Sequence, residues 1–439
     1  MTFISRRNFL RAISITSAYT LTGERLFAAT RGGSGKGTVI ERIECFYIKK
    51  TGGSSKKISG LRIVARDGAD GFYIDPAGGR LGQCFESQYT QPLREVLAGQ
   101  DSADITALWL KMHESGIHHR LHAAADVALW DLHGRREGKN VSSLIGEKKR
   151  DKVKRYESTA CNLTVDEYVE QAEKVKARGL QGFKLHPYIP KLQNMSSSGK
   201  IANPIEKRPW KTGDPIGFPE QDLDVIHEVH NVLGADVVQM LDNYHTYTLE
   251  QSIRVGRVLD SLNYGWMESP MPEGDDRIND YKTLRDTVKT QICAPEINHG
   301  DHFSRLRWLK GGAIDINRTD VNFGGFTSCL LILRACEEAG IPLDLHAVTN
   351  RHYQHALYPV SDARTMPWIE FMCWIPPVAE DFSCVVEGAW VEKSTPWFKS
   401  TIGYPTDSDG YVHFNYNRPG LGNEVNGEWV LQNRELLDI

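Results

Sequence analysis

The sequence predicts an α/β barrel preceded by a smaller α+β domain, and two observations carry that prediction. From about residue 151 onward, short apolar runs alternate with amphipathic stretches. Eight such runs can be placed, the number that closes a parallel β/α barrel. Three consecutive runs, 237–242, 262–268 and 291–296, end in an acid: Asp242, Glu268 and Glu296, spaced 26 and 28 residues apart. One strand, one helix and their two loops take roughly 25–30 residues in such a barrel. The spacing therefore aims three carboxylates at one spot on the C-terminal face. An all-oxygen pocket of that kind suits a hard divalent cation such as Mg²⁺.

The elements follow in order. Residues 5–11 carry the pair Arg6-Arg7, a modest apolar stretch covers 12–23, and Ala28-Ala29 supply small residues, with Phe27 just before them. This resembles a twin-arginine signal peptide over residues 1–29 and implies export of a folded protein by the twin-arginine machinery to the periplasm. Residues 31–37 then read as a flexible linker. Residues 38–48 and 58–67 alternate as strands. Helices follow in two stretches before a long one over 119–138, in which Leu121, Ala124, Ala125, Val127, Ala128, Leu129 and Leu132 keep helical spacing. This β-β-α-α-α order, over 30–150, describes an α+β domain. Barrel strands are placed at 153–158, 181–186, 237–242, 262–268, 291–296, 313–320, 342–346 and 368–372, inside a catalytic domain over 151–399. Helices are placed at 165–179, 249–262 and 281–290. Residues 188–219 form a long polar loop for the barrel rim. The tail, 400–439, returns to strand-and-turn character and is expected to complete the first domain.

Composition sets the class. Lys and Arg total 52 against 56 Asp and Glu, a net charge of −4, which argues against general affinity for nucleic acid or anionic membrane. No long uncharged apolar run follows the N-terminus, so no membrane span is expected. The eight cysteines lack any C-x-x-C pair and read as small buried hydrophobes, with one or two disulfides open to an exported protein.

Further polar groups fall at the same strand ends. Lys184 and His186 close the second barrel strand on one face. Asp320 closes the sixth and His346 the seventh, so neighbouring strands bring a carboxylate to an imidazole and fix its tautomer. Glu370 lies on the eighth. His245, three residues beyond Asp242, is a further acid/base candidate. His299, His352 and His355 read as structural or rim residues.

With residues 125–146, 182–188, 240–245, 266–270, 294–300 and 322–326, these motifs identify a resemblance to the enolase superfamily, in its mandelate racemase/muconate lactonizing branch. The resemblance implies a modified (β/α)7β TIM-like barrel under an N-terminal capping domain, with Asp242, Glu268 and Glu296 binding Mg²⁺. It implies that Lys184 lies near a substrate carboxylate, that His346 oriented by Asp320 is an acid/base, and that Glu370 hydrogen-bonds the substrate carboxylate. The sequence departs from the branch in having Lys184-x-His186 where Lys-x-Lys is usual, and in an Asp320-to-Gly324 interval one residue short. The implied activity is Mg²⁺-dependent abstraction of the proton α to a carboxylate, first as dehydration of a sugar acid to a 2-keto-3-deoxy acid. The alternatives are a racemase, epimerase or cycloisomerase, and an inactive exported sugar-acid-binding protein. A metal-dependent hydrolase barrel ranks below these, because residues 155–159 lack His-x-His. Homo-oligomers are common in the family, so one is expected here.

Overall fold

The computed structural model describes residues 38–48, 58–75, 81–159, 162, 164–187, 217, 219–296, 303–346, 351–373, 396–400, 405–414 and 417–437. The twin-arginine segment, the linker after it, His299 and nearly all of the 188–219 loop lie outside these residues. Among the described residues, no helix is long and apolar enough to cross a membrane.

The first domain is built on an antiparallel sheet of β1 (Ile40–Ile48), β2 (Ile58–Ala65) and β3 (Asp70–Asp75). Its helices are α1 (Ser87–Leu97), α2 (Ile105–Glu114), α3 (His119–Arg136) and the short α4 (Val141–Ile145). Strand β2 is buried at every position because both faces of the sheet are covered. Helix α3 packs directly on β3 at Gly71, where a Cβ would land on the backbone of Ala128 and Leu132. The small side chains Ala123, Ala124, Ala125 and Ala128 let α3 come that close, and the helix is buried almost all round.

The second unit is a parallel sheet of eight strands. They are β4 (Lys152–Thr159), β5 (Gly182–Leu185), β6 (Val238–Asp242), β7 (Trp266–Glu268), β8 (Gln291–Ala294), β9 (Ile316–Thr319), β10 (Leu343–Leu345) and β11 (Trp368–Cys373). The order is β10-β9-β8-β7-β6-β5-β4-β11, and the two end strands, β10 and β11, pack against each other, so the sheet curls round on itself. The connecting helices are α5 (Val165–Ala177), α6 (Pro219–Leu233), α7 (Leu249–Ser261), α8 (Ile278–Thr287), α9 (Ser304–Gly311), α10 (Gly325–Ala339) and the short α11 (Arg351–Gln354). Thr164 with Glu167 and Thr248 with Gln251 form reciprocal capping boxes that start α5 and α7. The outer faces of the strands pack on these helices through Phe183, Leu185, Leu241, Met267 and Ile292. Inside, Tyr156, Met240, Trp266, Cys293 and Ile316 form a separate apolar cluster. Together the two units are an α/β TIM-like barrel with an N-terminal cap.

All eight predicted strand windows contain a strand, but some are trimmed. The 262–268 window yields only β7, because Asn263 takes a left-handed φ of 57° and the Tyr264 N–H returns to Leu259 O, finishing α7. Helix α8 starts earlier than the 281–290 window and ends at Thr287. The tail is divided rather than given wholly to the cap. β13 (Tyr411–His413) pairs antiparallel with β4, β12 (Phe398–Ser400) pairs with β14 (Glu424–Val425), and after α12 (Gly427–Asn433), β15 (Arg434–Leu436) flanks β1. Cys45, Cys84, Cys293, Cys329 and Cys336 are buried free thiols.

Candidate functional site

Parallel register sets the site. Asp242 and Glu268 are partners in the β6–β7 ladder, and Glu296 lies two residues beyond β8. Asp242, Glu268 and Glu296 are all buried, and one carboxylate oxygen of each lies within 4.8 Å of the others. Arg305 on α9, itself buried, donates to the backbone carbonyls of Glu296 (2.6 Å) and Arg318 (3.0 Å), fixing two of the strand ends from behind.

Two imidazoles flank the acids. His186 Nε2 is 2.9 Å from Asp242 Oδ2, and its backbone is held between Thr159 Oγ1 and the Tyr168 hydroxyl. On the other flank, His346 Nε2 is 3.2 Å from Glu296 Oε1, and its Nδ1 is 2.6 Å from Asp320 Oδ2. An imidazole N–H facing a carboxylate donates, so Asp320 takes the Nδ1 side of the ring and leaves Nε2 toward Glu296 and the other acids. The short Asp320-to-Gly324 interval does not break this contact. Asp320 Oδ1 accepts the Asn322 N–H at 2.6 Å in a tight turn. The His346 N–H bonds to Thr319 O at 2.9 Å as the last rung between β9 and β10.

Lys184 and Glu370 are placed deeper than a rim position. The Lys184 side chain is fully enclosed, 2.9 Å from Glu268 Oε2 and 2.7 Å from Glu370 Oε1. In a low-dielectric interior an ammonium goes to the carboxylates rather than standing free. His245 is also displaced from the acids. Tyr244 and His245 adopt left-handed φ of 59° and 63°, which turns the chain after β6. His245 Nδ1 then sits 3.1 Å from Met271 O and 3.9 Å from Glu273 Oε2, buried in the 269–273 turn. His355 is a buried residue of the segment after α11.

Sequence reasoning missed Arg318. It sits on β9, fully buried, with Nε 2.6 Å from Glu268 Oε1 and 4.0 Å from Glu296 Oε2, a second nitrogen 2.8 Å from Glu370, and a third paired with Asp344. A usable signal was there: a charged residue two positions before Asp320 shares its face of the strand. Asp344, two before His346, follows the same rule.

The charges shape one another. Burial and Arg318 work against the charge on Lys184, but Glu268, Glu370 and Asp242 outweigh them and push its pKa up to about 12. Burial resists ionisation of Glu370, yet Arg318 and Lys184 hold it well below the usual carboxylate range. Burial pushes Glu268 up against the pull of Arg318 and Lys184, and Asp242 and Glu296 add to the push. Burial lowers His346, but Glu296 and Asp320 more than offset it and raise its pKa. Among the described residues, Glu296 Oε2 accepts no hydrogen bond although it is buried. A buried carboxylate oxygen with no hydrogen-bond donor, facing two other acids, fits a divalent cation.

Residues 49–146 match the family described as "Mandelate racemase / muconate lactonizing enzyme, N-terminal domain", and residues 167–429 match "Enolase C-terminal domain-like". The chain belongs to the enolase superfamily, in its mandelate racemase/muconate lactonizing enzyme branch. Within this enzyme superfamily it is 24% identical over 386 residues to a D-galactonate dehydratase family member, RspA, of Cellvibrio japonicus, covering 85% of this chain and 90% of that one. It is 26% identical to a D-galactarolactone cycloisomerase of Agrobacterium fabrum over 261 residues, 57% of this chain and 61% of the relative. The alignment thus leaves more than a third of that cycloisomerase unmatched. A solved D-glucarate dehydratase from Agrobacterium tumefaciens, complexed with magnesium, superposes with a TM-score of 0.71 at 25% identity, covering 91% of this chain and all of that one.

Proposed function

We propose that this superfamily member removes the proton α to the carboxylate of a sugar acid, with Mg²⁺ as cofactor, and that the reaction proceeds to loss of the β-hydroxyl as water. The observation that carries the reading is the convergence of three buried acids, one with an unsatisfied oxygen, beside an imidazole oriented by its own carboxylate. Asp242, Glu268 and Glu296 would hold the ion, which when bound draws negative charge onto the substrate carboxylate and so acidifies the α-proton.

The chain's own groups supply the proton steps. A base takes the α-proton, and the C–H electron pair becomes the Cα=Cβ bond as the Cβ–O bond breaks. The departing oxygen takes a proton and leaves as water, and the enol product tautomerises to a 2-keto-3-deoxy acid. His346 Nε2 carries a proton to or from the substrate, while Asp320 holds Nδ1–H and stabilises the imidazolium. His186 stands on the Asp242 side of the acids and serves as the second proton carrier. Arg318 and Lys184 keep Glu370 ionised and oriented as a fixed acceptor. The names of the relatives, a dehydratase family member and a D-glucarate dehydratase among them, support the sugar-acid class.

One feature favours a second reading. Imidazoles on two flanks of the acids suit delivery of a proton to the face opposite its removal, the requirement of a racemase or epimerase. A panel of aldonates and aldarates with Mg²⁺ in D₂O separates the two. Keto-acid formation supports dehydration. Solvent deuterium in recovered or inverted acid supports isomerisation. No product and no exchange with any hydroxy acid overturns both and favours a binding protein.

We also propose export through the twin-arginine route, on the strength of Arg6-Arg7 and the segment after it. An Arg6→Lys, Arg7→Lys precursor retained in the cytoplasm supports it, and unchanged export refutes it.

A further inference from the structure

The last backbone rung joining β9 and β10 runs from the His346 N–H to Thr319 O, one residue short of Asp320, so the turn that carries Asp320 is held by contacts other than the sheet. Two backbone groups mark the gap: the buried N–H of Val321, next to Asp320, and the partly buried C=O of His346 itself. One side chain answers both. Gln354, at the end of α11 and 1% exposed, accepts the Val321 N–H at Oε1 (3.0 Å) and donates from Nε2 to His346 O (2.8 Å). A primary amide offers a donor and an acceptor on one planar group; a carboxylate lacks the donor, and an aliphatic side chain lacks both.

The residue before it reaches the other way. The Tyr353 hydroxyl takes the Ile74 N–H at 2.7 Å and donates to Ile74 O at 3.0 Å, at the end of cap strand β3. Its ring stacks on Tyr73 with centroids 5.0 Å apart, and the Tyr73 hydroxyl is 3.4 Å from Asn322 Oδ1, one residue past Val321. Trp109 of α2 closes the ring of contacts by donating to Gly324 O at 2.6 Å. The turn that carries Asp320 is therefore gripped from the cap by Tyr73 and Trp109 and from α11 by Gln354.

We propose that Gln354 is a positioning residue for the Asp320–His346 pair, and that Tyr353 and Gln354 together tie cap strand β3 to that pair. The inference rests on the proposed acid/base role of His346 for its kinetic arm alone; its geometric arm stands without it. Gln354 touches no reacting atom. It sets where the imidazole sits relative to its carboxylate, and the cap strand sets where Gln354 sits. Displacement of a proton-transfer group by about 1 Å costs on the order of 100-fold in rate.

The test uses Gln354→Met, which keeps the volume and removes both hydrogen bonds, in the full chain. Proton NMR of the wild type is expected to show a downfield His346 Nδ1–H resonance, assigned by its loss in His346→Asn and in Asp320→Asn. In Gln354→Met it is expected to shift upfield or broaden. With a substrate from the panel, Gln354→Met is expected to lower kcat by about 10- to 100-fold with KM within about twofold. In an Asp320→Asn background the same substitution is expected to have no further effect on kcat, because its route of action is already cut. Tyr353→Phe is expected to change kcat and KM together, since it loosens the cap strand as well.

An unmoved resonance in folded Gln354→Met overturns the inference whether or not a substrate is found. So does an undiminished kcat effect in the Asp320→Asn background. Absence of any turnover by the wild type, with the resonance responding as expected, counts against the proposed function and leaves the positioning role supported. If Gln354→Met does not fold, Gln354→Glu, which retains the acceptor to Val321 and loses the donor to His346, gives the same resonance readout, with the same outcome overturning the inference.

Discussion

Replacing Arg318 by methionine removes a cation from the centre of the barrel while leaving the space filled. The side chain is fully buried, and its guanidinium faces Glu268, Glu370 and Asp344 at once, with Glu296 at 4.0 Å. Removing one partner from a buried ion pair costs about 3–5 kcal/mol, because the other charge is left without compensation. Lys184 still neutralises part of Glu268 and Glu370, so the cost stays in that range rather than multiplying by the number of contacts. At about 2–4 °C per kcal/mol for a large domain, the metal-free protein should melt on the order of 10 °C lower than wild type.

Magnesium then discriminates. In the wild type an ion held by the three acids, as proposed, would share Glu268 with Arg318, and even two unit positive charges about 4 Å apart repel by about 4 kcal/mol at an effective dielectric constant of about 20. Without Arg318 that repulsion is gone, so saturating Mg²⁺ should raise the melting temperature of Arg318→Met by more than it raises that of the wild type. Arg318→Lys should fall between the two, keeping the charge but not the three-sided fork. The assay is thermal unfolding by circular dichroism in EDTA and in MgCl₂. A metal-free Arg318→Met protein melting within about 2 °C of wild type would refute the assigned charge balance. Equal Mg²⁺ shifts in both proteins would refute the sharing of Glu268.

Three further outcomes are expected. Glu296→Gln should weaken Mg²⁺ by at least about 100-fold in calorimetric titration while leaving the far-ultraviolet spectrum unchanged, since it removes the oxygen that lacks a donor. Asp126 on α3 caps α10 through the Thr327 N–H (2.8 Å) and hydroxyl (2.5 Å), and burial pushes its pKa up to about 7 against the pull of those bonds. The fold therefore keeps a proton that the unfolded chain gives up. Wild-type stability should fall relative to Asp126→Asn as pH rises from about 4 to about 7, by up to about 4 kcal/mol, and the two should run parallel above that; denaturant titrations across the range check it. Gly325 has a φ of 82°, and an added Cβ would land on the Asp126 carboxylate. Gly325→Ala should lose about 2–4 kcal/mol in the same denaturant assay, and a loss below about 0.5 kcal/mol would contradict the packing.

The parts of this architecture that could be read from the chain are those with a period or an abrupt edge. An acid that ends an apolar run stands out, and Asp242, Glu268 and Glu296 did; the ladder register then brings the first two side by side. Asp320 and His346 close neighbouring strands, and the structure puts them in contact. What could not be read depends on backbone conformation or on long-range partners. Strand alternation already turns His245 from the face of Asp242, but not into the turn that the left-handed pair Tyr244-His245 makes. Arg318 looks like any charge in a short strand until the carboxylates of three other strands are seen around it. Gln354 has no marker at all in sequence, because both groups it satisfies belong to the backbone. Lys184 is marked in sequence by its place at a strand end, but its depth is not, since enclosure is a property of the whole barrel rather than of β5.

The pairing of β15 with β1 bears on the order in which the molecule can assemble. Phe46 is matched with Leu436, so the opening strand of the cap waits for a neighbour that leaves the ribosome only after every barrel strand has been made. Until then one edge of that sheet offers bare amides and carbonyls to any passing chain. Vectorial synthesis thus releases most of the cap first and its outer strand last, and a nascent chain stalled before residue 434 would carry a cap sheet still open along β1.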